Sequence, residues 1–175
     1  TLRRALFSLA AFAAYATHDV VVKYLGGHYS SFQTMFFAGL MGFPIVTVLL
    51  LSDRRDGTLI PKHPWWTAIR TVSAVVTGAM GFYAFSVLPM ATCYAIFFAM
   101  PLLMRLMAIP MLGEKVGLRR GIAVIVGLIG VIIVLRPGGG DGFGIGHLAA
   151  LGAAFTGALT SVIVRKIGSE ERSAV

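Results

Sequence analysis

The sequence predicts an all-α integral membrane protein, a multi-span helical bundle, on three observations. Of its 175 residues 57% are apolar and only 13% charged, with a mean hydropathy of +0.85; a soluble domain carries about 25% charge. The apolar residues gather in runs, most of them long enough to cross a hydrocarbon core about 30 Å thick. The charges sit in short clusters between those runs. This composition excludes a typical soluble enzyme, a disulfide-stapled secreted module and a disordered tail.

Six spans are expected in order: Ala5–Leu25, Phe32–Leu51, Trp65–Leu88, Ala91–Leu112, Gly121–Leu135 and His147–Ile167. The first follows Arg3-Arg4 and stops at Gly26-Gly27-His28. Arg3-Arg4, the apolar stretch and Ala14-Tyr15-Ala16 have the form of a cleavable leader. The apolar run continues beyond that point, so an uncleaved span is expected. The second contains Pro44 and ends in the polar stretch Ser52–Pro64. The third opens on Trp65-Trp66, an interfacial aromatic belt, and closes on the tight turn Leu88-Pro89-Met90. The fourth holds Pro101 and Pro110 and runs into the basic turn Gly113–Arg120. The fifth is short, roughly 22 Å at 1.5 Å per residue, and snorkelling of Arg120 and Arg136 would extend it. A Gly-rich stretch, Arg136–Gly146, leads to the sixth.

Charge orients these spans. With the N-terminus in the cytoplasm, 11 positives fall on the inner side, from Arg3 and Arg4 through Arg165, Lys166 and Arg172. Only Lys23 and Arg136 fall outside, while Arg70 and Arg105 lie within spans. That is a positive-inside distribution. It predicts a multi-pass protein of a bacterial-type inner membrane and explains the formal charge of +8 without a nucleic-acid partner. No cofactor or metal is expected. Cys93 is alone, the four His are dispersed, and the glycines of 136–146 lack the Lys-Ser/Thr of a phosphate loop.

An internal repeat is present at an offset of 142 residues. Leu9, Ala11, Ala16, Val20, Lys23 and Gly26 fall on Leu151, Ala153, Ala158, Val162, Arg165 and Gly168 without a gap. Five spans is an odd number, so a second copy runs inverted, as in many secondary transporters. The expected organisation is one five-helix repeat over 1–140 and the first helix of a second, truncated inverted repeat over 141–175. The absence of an initial Met fits a fragment.

The stretch Leu88–Gly139 resembles the EamA-like branch of the drug/metabolite transporter superfamily. The resemblance rests on LP-x-A-T-x-x-A from Leu88, on Pro101, and on LGEKVGLRR at Leu112–Arg120. It continues through Gly127-Leu128-Ile129-Gly130 and Arg136-Pro137-Gly138. GHLAALGAAFTGALTSVIVRKIG, from Gly146, resembles the opening helix of that family's second repeat. The resemblance implies a ten-helix inverted-repeat (5+5) transporter fold, of which six spans lie here. It implies alternating-access transport of a small metabolite, with export the expected direction. There is one departure: family members often carry an Arg after a Gln-x-x-Phe-Phe-like segment, and here Gln33–Phe37 is followed by Ala38.

Ionisable residues inside spans mark candidate pathways. In the first span Ser8, Phe12, Tyr15 and Asp19 share a face at 0, 4, 7, 11 spacing, with His18 beside Asp19. Asp19 and His18 are the expected substrate contacts and proton-coupling groups. The alternative is an i,i+4 pair of Asp19 with Lys23. Tyr94, Phe98, Pro101 and Arg105 repeat that spacing in the fourth span, where Arg105 is expected to contact an anion or to snorkel inward. Phe82 belongs to an aromatic stripe of the third span. The expected binding set is therefore Tyr15, His18, Asp19, Phe82, Tyr94, Phe98 and Arg105, for an anionic, amino-acid-like or aromatic metabolite. Pro44, Pro101 and Glu114 are expected at kinks or gates. Small residues (Ser73, Thr77 and Gly81; Ala149, Ala153, Gly157 and Ser161) suit close helix contacts. The partners expected are the lipid bilayer, the substrate and the missing second repeat, or a homodimer partner if the chain is native length. Rival readings are a non-transporting membrane scaffold and a membrane-embedded enzyme using His18 and Asp19, for which no nucleophile or metal set is apparent.

Overall fold

The computed structural model describes residues 2–52, 61–113, 117–135 and 143–168. Glu114, most of the Gly-rich stretch and the cluster at Arg54-Arg55 lie outside the described residues. Among the described residues seven helices follow one another: α1 (Leu2–Gly26), α2 (Ser31–Ser52), α3 (Pro64–Val87), α4 (Met90–Phe97), α5 (Met100–Leu112), α6 (Leu118–Leu135) and α7 (Ile145–Ile167). There is no strand among the described residues.

The extra helix arises inside the expected fourth span, which remains one apolar crossing over Met90–Leu112 but is interrupted by a turn at Phe98-Ala99. Proline at 101 has no amide to donate and its ring crowds the carbonyl four residues back, that of Phe97. The chain tightens there, with the Ala99 amide donating to the carbonyl of Ile96, three residues back, at 2.9 Å. Met100 then restarts the helix with proline in its first turn, where a missing amide costs little. By contrast α2 runs through Pro44 and α5 through Pro110 without a break. At the end of α5, Gly113 takes φ 68°, the left-handed cap that glycine adopts without a Cβ clash.

Taking α4 and α5 as one crossing, five units among the described residues are long and apolar enough to span a membrane, and α6 has a shorter apolar stretch. α6 has 18 residues, three more than expected, or roughly 27 Å. α7 begins two residues early at Ile145, and His147 Nδ1 accepts the amide of Gly144 at 3.3 Å, capping the helix start.

α7 occupies the middle of the bundle, against α3, α5 and α4. Its buried face consists of Gly146, Ala149, Ala150, Ala153, Ala154, Gly157 and Ala158 at the contact, with Val162, Ile163 and Ile167 beyond. Small side chains let the backbones approach, which is how helices gain packing energy when the surrounding solvent is itself apolar. A Cβ at Gly157 would lie 2.8 Å from Met100 Cε, and one at Gly152 would lie 2.6 Å from Met80 Sδ. Across the same contact Thr77 Oγ1 donates to Thr156 Oγ1 at 2.7 Å. Cys93 is a packing residue, fully buried beside the Ala84 carbonyl. Two expectations for the small residues fail. Ser161 is exposed, and a Cβ at Gly81 would meet nothing within 4 Å, because Gly81 borders a cavity instead of a helix.

Candidate functional site

That cavity, about 510 Å³, lies between α1, α3 and the α4–α5 break, with α7 closing its floor through Ala153. Tyr15, His18, Asp19, Phe82, Phe98 and Pro101 line it, together with Thr77, Gly81, Phe85 and Met104. The wall is mostly aromatic and aliphatic, and Asp19 is the acidic group in it. The Asp19 side chain retains only 20% of its exposure against 55% for His18, and it is held from two directions. Tyr94 Oη donates to Asp19 Oδ2 at 2.7 Å, and Asp19 Oδ1 lies 3.1 Å from His18 Nδ1. Phe85 packs edge-on against Tyr94 and Phe97, at ring-centroid distances of 6.0 and 5.5 Å. Those contacts fix the phenol that reaches Asp19. A carboxylate gripped by a hydroxyl in an apolar wall is a directional acceptor, able to hold a cation or a proton.

Lys23 does not complete an i,i+4 pair with Asp19. Its ammonium donates to the carbonyls of Leu88 at 2.8 Å and Ser86 at 3.4 Å. Those carbonyls stand at the C-terminal end of α3, where helical partners run out and the macrodipole attracts a cation. The same corner brings α1 and α2 onto α3. A Cβ at Gly26 would lie 2.8 Å from Ser86 Cβ, and the hydroxyls of Ser31 and Ser86 are 3.4 Å apart. Sequence reasoning missed this junction, although the repeat match of Lys23 and Gly26 with Arg165 and Gly168 was a signal for it.

Of the seven expected site residues, six come together here: Tyr15, His18, Asp19, Phe82 and Phe98 line the cavity, and Tyr94 reaches it through Asp19. Arg105 does not join them. It lines a separate cavity of about 270 Å³ against α6, with Leu106, Ile109, Gly121 and Val124. The divergence falls inside α5, beyond the break, because a step of four residues turns a helix by about 40° and carries Arg105 off the face that Pro101 and Met104 present to the first cavity. Pro101 and Met104 face the first cavity while Arg105 and Ile109 face α6.

A third cavity, of about 540 Å³, opens beside the first between α1 and α2, lined by Gln33, Thr34, Phe37, Ala38 and Met41. His18, Val22 and Phe82 border both cavities, and the rings of His18 and Phe82 meet edge-on at 6.1 Å. Ala38 thus places a methyl group on this wall where the resemblance expected an arginine. Among the described residues no cluster could hold a metal ion.

Apolar spans packed through small residues around a cavity that carries one gripped carboxylate define a multi-pass membrane protein of the transporter type. The EamA-like transporter family matches residues 2–136, and the chain belongs to that family. The enzyme reading falls with that membership. The chain is 28% identical to an S-adenosylmethionine uptake transporter of Rickettsia bellii, over 89% of this chain and 53% of the relative. It is also 28% identical to a riboflavin transporter of Vibrio cholerae, over 97% of this chain and 58% of the relative. The S-adenosylmethionine uptake transporter of Rickettsia prowazekii is 27% identical over 69% and 40%. The chain therefore spans about half the length of the curated relatives it matches. Export, the direction expected from the resemblance, finds no support in relatives named for uptake. No solved structure matches.

Proposed function

We propose that this chain forms one half of a secondary transporter that moves a small cation-bearing aromatic metabolite by alternating access. The observation that carries the reading is the carboxylate of Asp19, gripped by Tyr94 at 2.7 Å in a wall made mostly of aromatic and aliphatic side chains. The anionic substrate expected from the sequence has lost its cation, because Arg105 lies in another cavity. A sulfonium or ammonium group beside an aromatic ring suits a carboxylate flanked by Phe82 and Phe98. Relatives named for S-adenosylmethionine and riboflavin agree with the aromatic part, and S-adenosylmethionine supplies both parts.

Asp19 and His18 are proposed as the proton-coupling pair, since a proton and a cationic substrate would compete for one carboxylate. The break at Phe98-Ala99 is the proposed hinge, and helices of a second repeat would close the cavity. The positive-inside distribution supports a cytoplasmic N-terminus in an inner membrane. The test is transport by the full-length protein in proteoliposomes. Asp19→Asn should abolish pH-gradient-driven movement of S-adenosylmethionine while leaving insertion intact, and Tyr94→Phe should weaken it. Undiminished coupling in Asp19→Asn would remove the assignment.

A further inference from the structure

The cavity between α1 and α2 lies against the Asp19 cavity, and His18, Val22 and Phe82 belong to the wall they share. The two are similar in volume, about 540 and 510 Å³, and different in chemistry. Asp19 gives one of them an acid. The lining of the other contains no Asp, Glu, Lys or Arg. It is mostly aliphatic and aromatic, with Gln33 and Thr34 set among those side chains.

Two polar groups of this lining are fixed by bonds that leave one end of each open. Gln33 Oε1 accepts the Ser30 amide at 3.1 Å, and the Ser30 hydroxyl accepts the Gln33 amide at 3.3 Å. That reciprocal pair is a capping box at the start of α2, and it leaves the side-chain NH2 of Gln33 to donate. On the shared wall His18 Nδ1 lies 3.1 Å from Asp19 Oδ1. An ionised carboxylate only accepts, so Nδ1 carries the hydrogen and Nε2 of the neutral ring is left to accept. The cavity therefore offers a donor and an acceptor beside apolar surface, with no charge to be matched. A lipid chain has no group for either. A heteroaromatic ring with an amino group next to a ring nitrogen has both.

We infer that the α1–α2 cavity is the ring pocket of the ligand whose cation sits on Asp19. The ligand class is then a neutral heteroaromatic ring joined by a short linker to a sulfonium or ammonium centre. This assignment rests on the cationic reading of Asp19 and adds a second compartment to it. The linker passes the partition made by His18 and Phe82, whose rings meet edge-on at 6.1 Å. Selection is divided accordingly: Asp19 reads charge, and α2 distinguishes cations that carry a ring from those that do not. Ala38 is a specificity-determining residue on this account, because its methyl group leaves the pocket open where a larger side chain would fill it.

The test uses the full-length protein in proteoliposomes with two sulfonium probes: S-adenosylmethionine, which carries a ring, and S-methylmethionine, which does not. Ala38→Phe should raise the KM for S-adenosylmethionine about tenfold or more and change that for S-methylmethionine by no more than about twofold. Equal changes for the two probes, or no change for either, would overturn the ring pocket. Asp19→Asn should impair transport of both. Undiminished transport of both in Asp19→Asn, beside a ring-selective loss in Ala38→Phe, would remove the cation assignment and keep the pocket. A second measurement needs no substitution. An azidoadenine analogue of S-adenosylmethionine should, on illumination, label the segment 33–41 of α2, which lines this cavity. Labelling confined to the other walls of the Asp19 cavity would overturn the ring pocket and leave the cationic reading standing. Failure of the unsubstituted protein to bind either probe would remove both.

Discussion

α1 and α7 align without a gap at an offset of 142 residues yet are opposite in environment. Val20 and Val162 occupy equivalent places, and the first is 56% exposed while the second is 3% exposed. The difference does not come from hydrophobicity, since both helices are apolar enough to span. It comes from side-chain size on one face. α7 presents Ala149, Ala154 and Gly157 where α1 presents Phe7, Phe12 and Tyr15. In lipid, burying apolar surface gains little by itself, so association goes to the helix whose backbone can approach closely. A helix of small residues becomes the centre of the bundle, and one with the same periodicity but larger rings stays at its edge and lines a cavity.

The comparison is broken most directly at Gly157. Gly157→Leu forces a side chain into Met100 and Thr77, and overpacking of this kind costs about 1–3 kcal/mol. A melt in detergent should show that loss, and an unchanged midpoint would mean that α7 is not held by close approach. Lys23→Met removes the cation from the carbonyls of Ser86 and Leu88 and should cost about 1–2 kcal/mol. The largest loss of amide protection should fall at the α1–α3 corner in hydrogen exchange. Matched substitutions sharpen the contrast further. Val162→Ala should cost about 1–2 kcal/mol for two lost methyl groups in a packed site, and Val20→Ala no more than about 0.5 kcal/mol. Equal costs in the 175-residue chain would contradict the burial difference. The smallest effect belongs to the Thr77–Thr156 bond. A double-mutant cycle with Thr77→Val and Thr156→Val should give a coupling of about 0.6 kcal/mol, ordinary for a hydrogen bond between membrane helices.

Much of the fold was legible in the chain because lipid imposes strong local rules. Backbone groups in hydrocarbon must be satisfied within a helix, so each long apolar run announces a span and each polar cluster a loop. The error in the fourth span is local as well. Spacing groups Arg105 with Pro101 on one face, yet within α5 Pro101 lines the first cavity and Arg105 the one against α6. The site was legible in part for a related reason. Intramembrane charge is costly enough to mark Asp19, and the ring spacing on α1 put Tyr15 beside it. Nothing local said that Lys23 would turn away from Asp19 to the end of α3. That choice depends on which carbonyls the tight turn at Leu88-Pro89 leaves open and on how closely Gly26 lets α1 approach.

The sequence by itself determined the order of the apolar segments and the helical class of the fold. Composition, periodicity and the cost of exposed backbone in lipid act within each segment, without reference to its neighbours. Only the tertiary structure decided which helix is central, that Tyr94 and not Lys23 holds Asp19, and that Arg105 faces away from the cavity. Those outcomes turn on the distance of approach and relative rotation of helices far apart in the chain. Such quantities are set where two surfaces meet, and neither surface carries them alone.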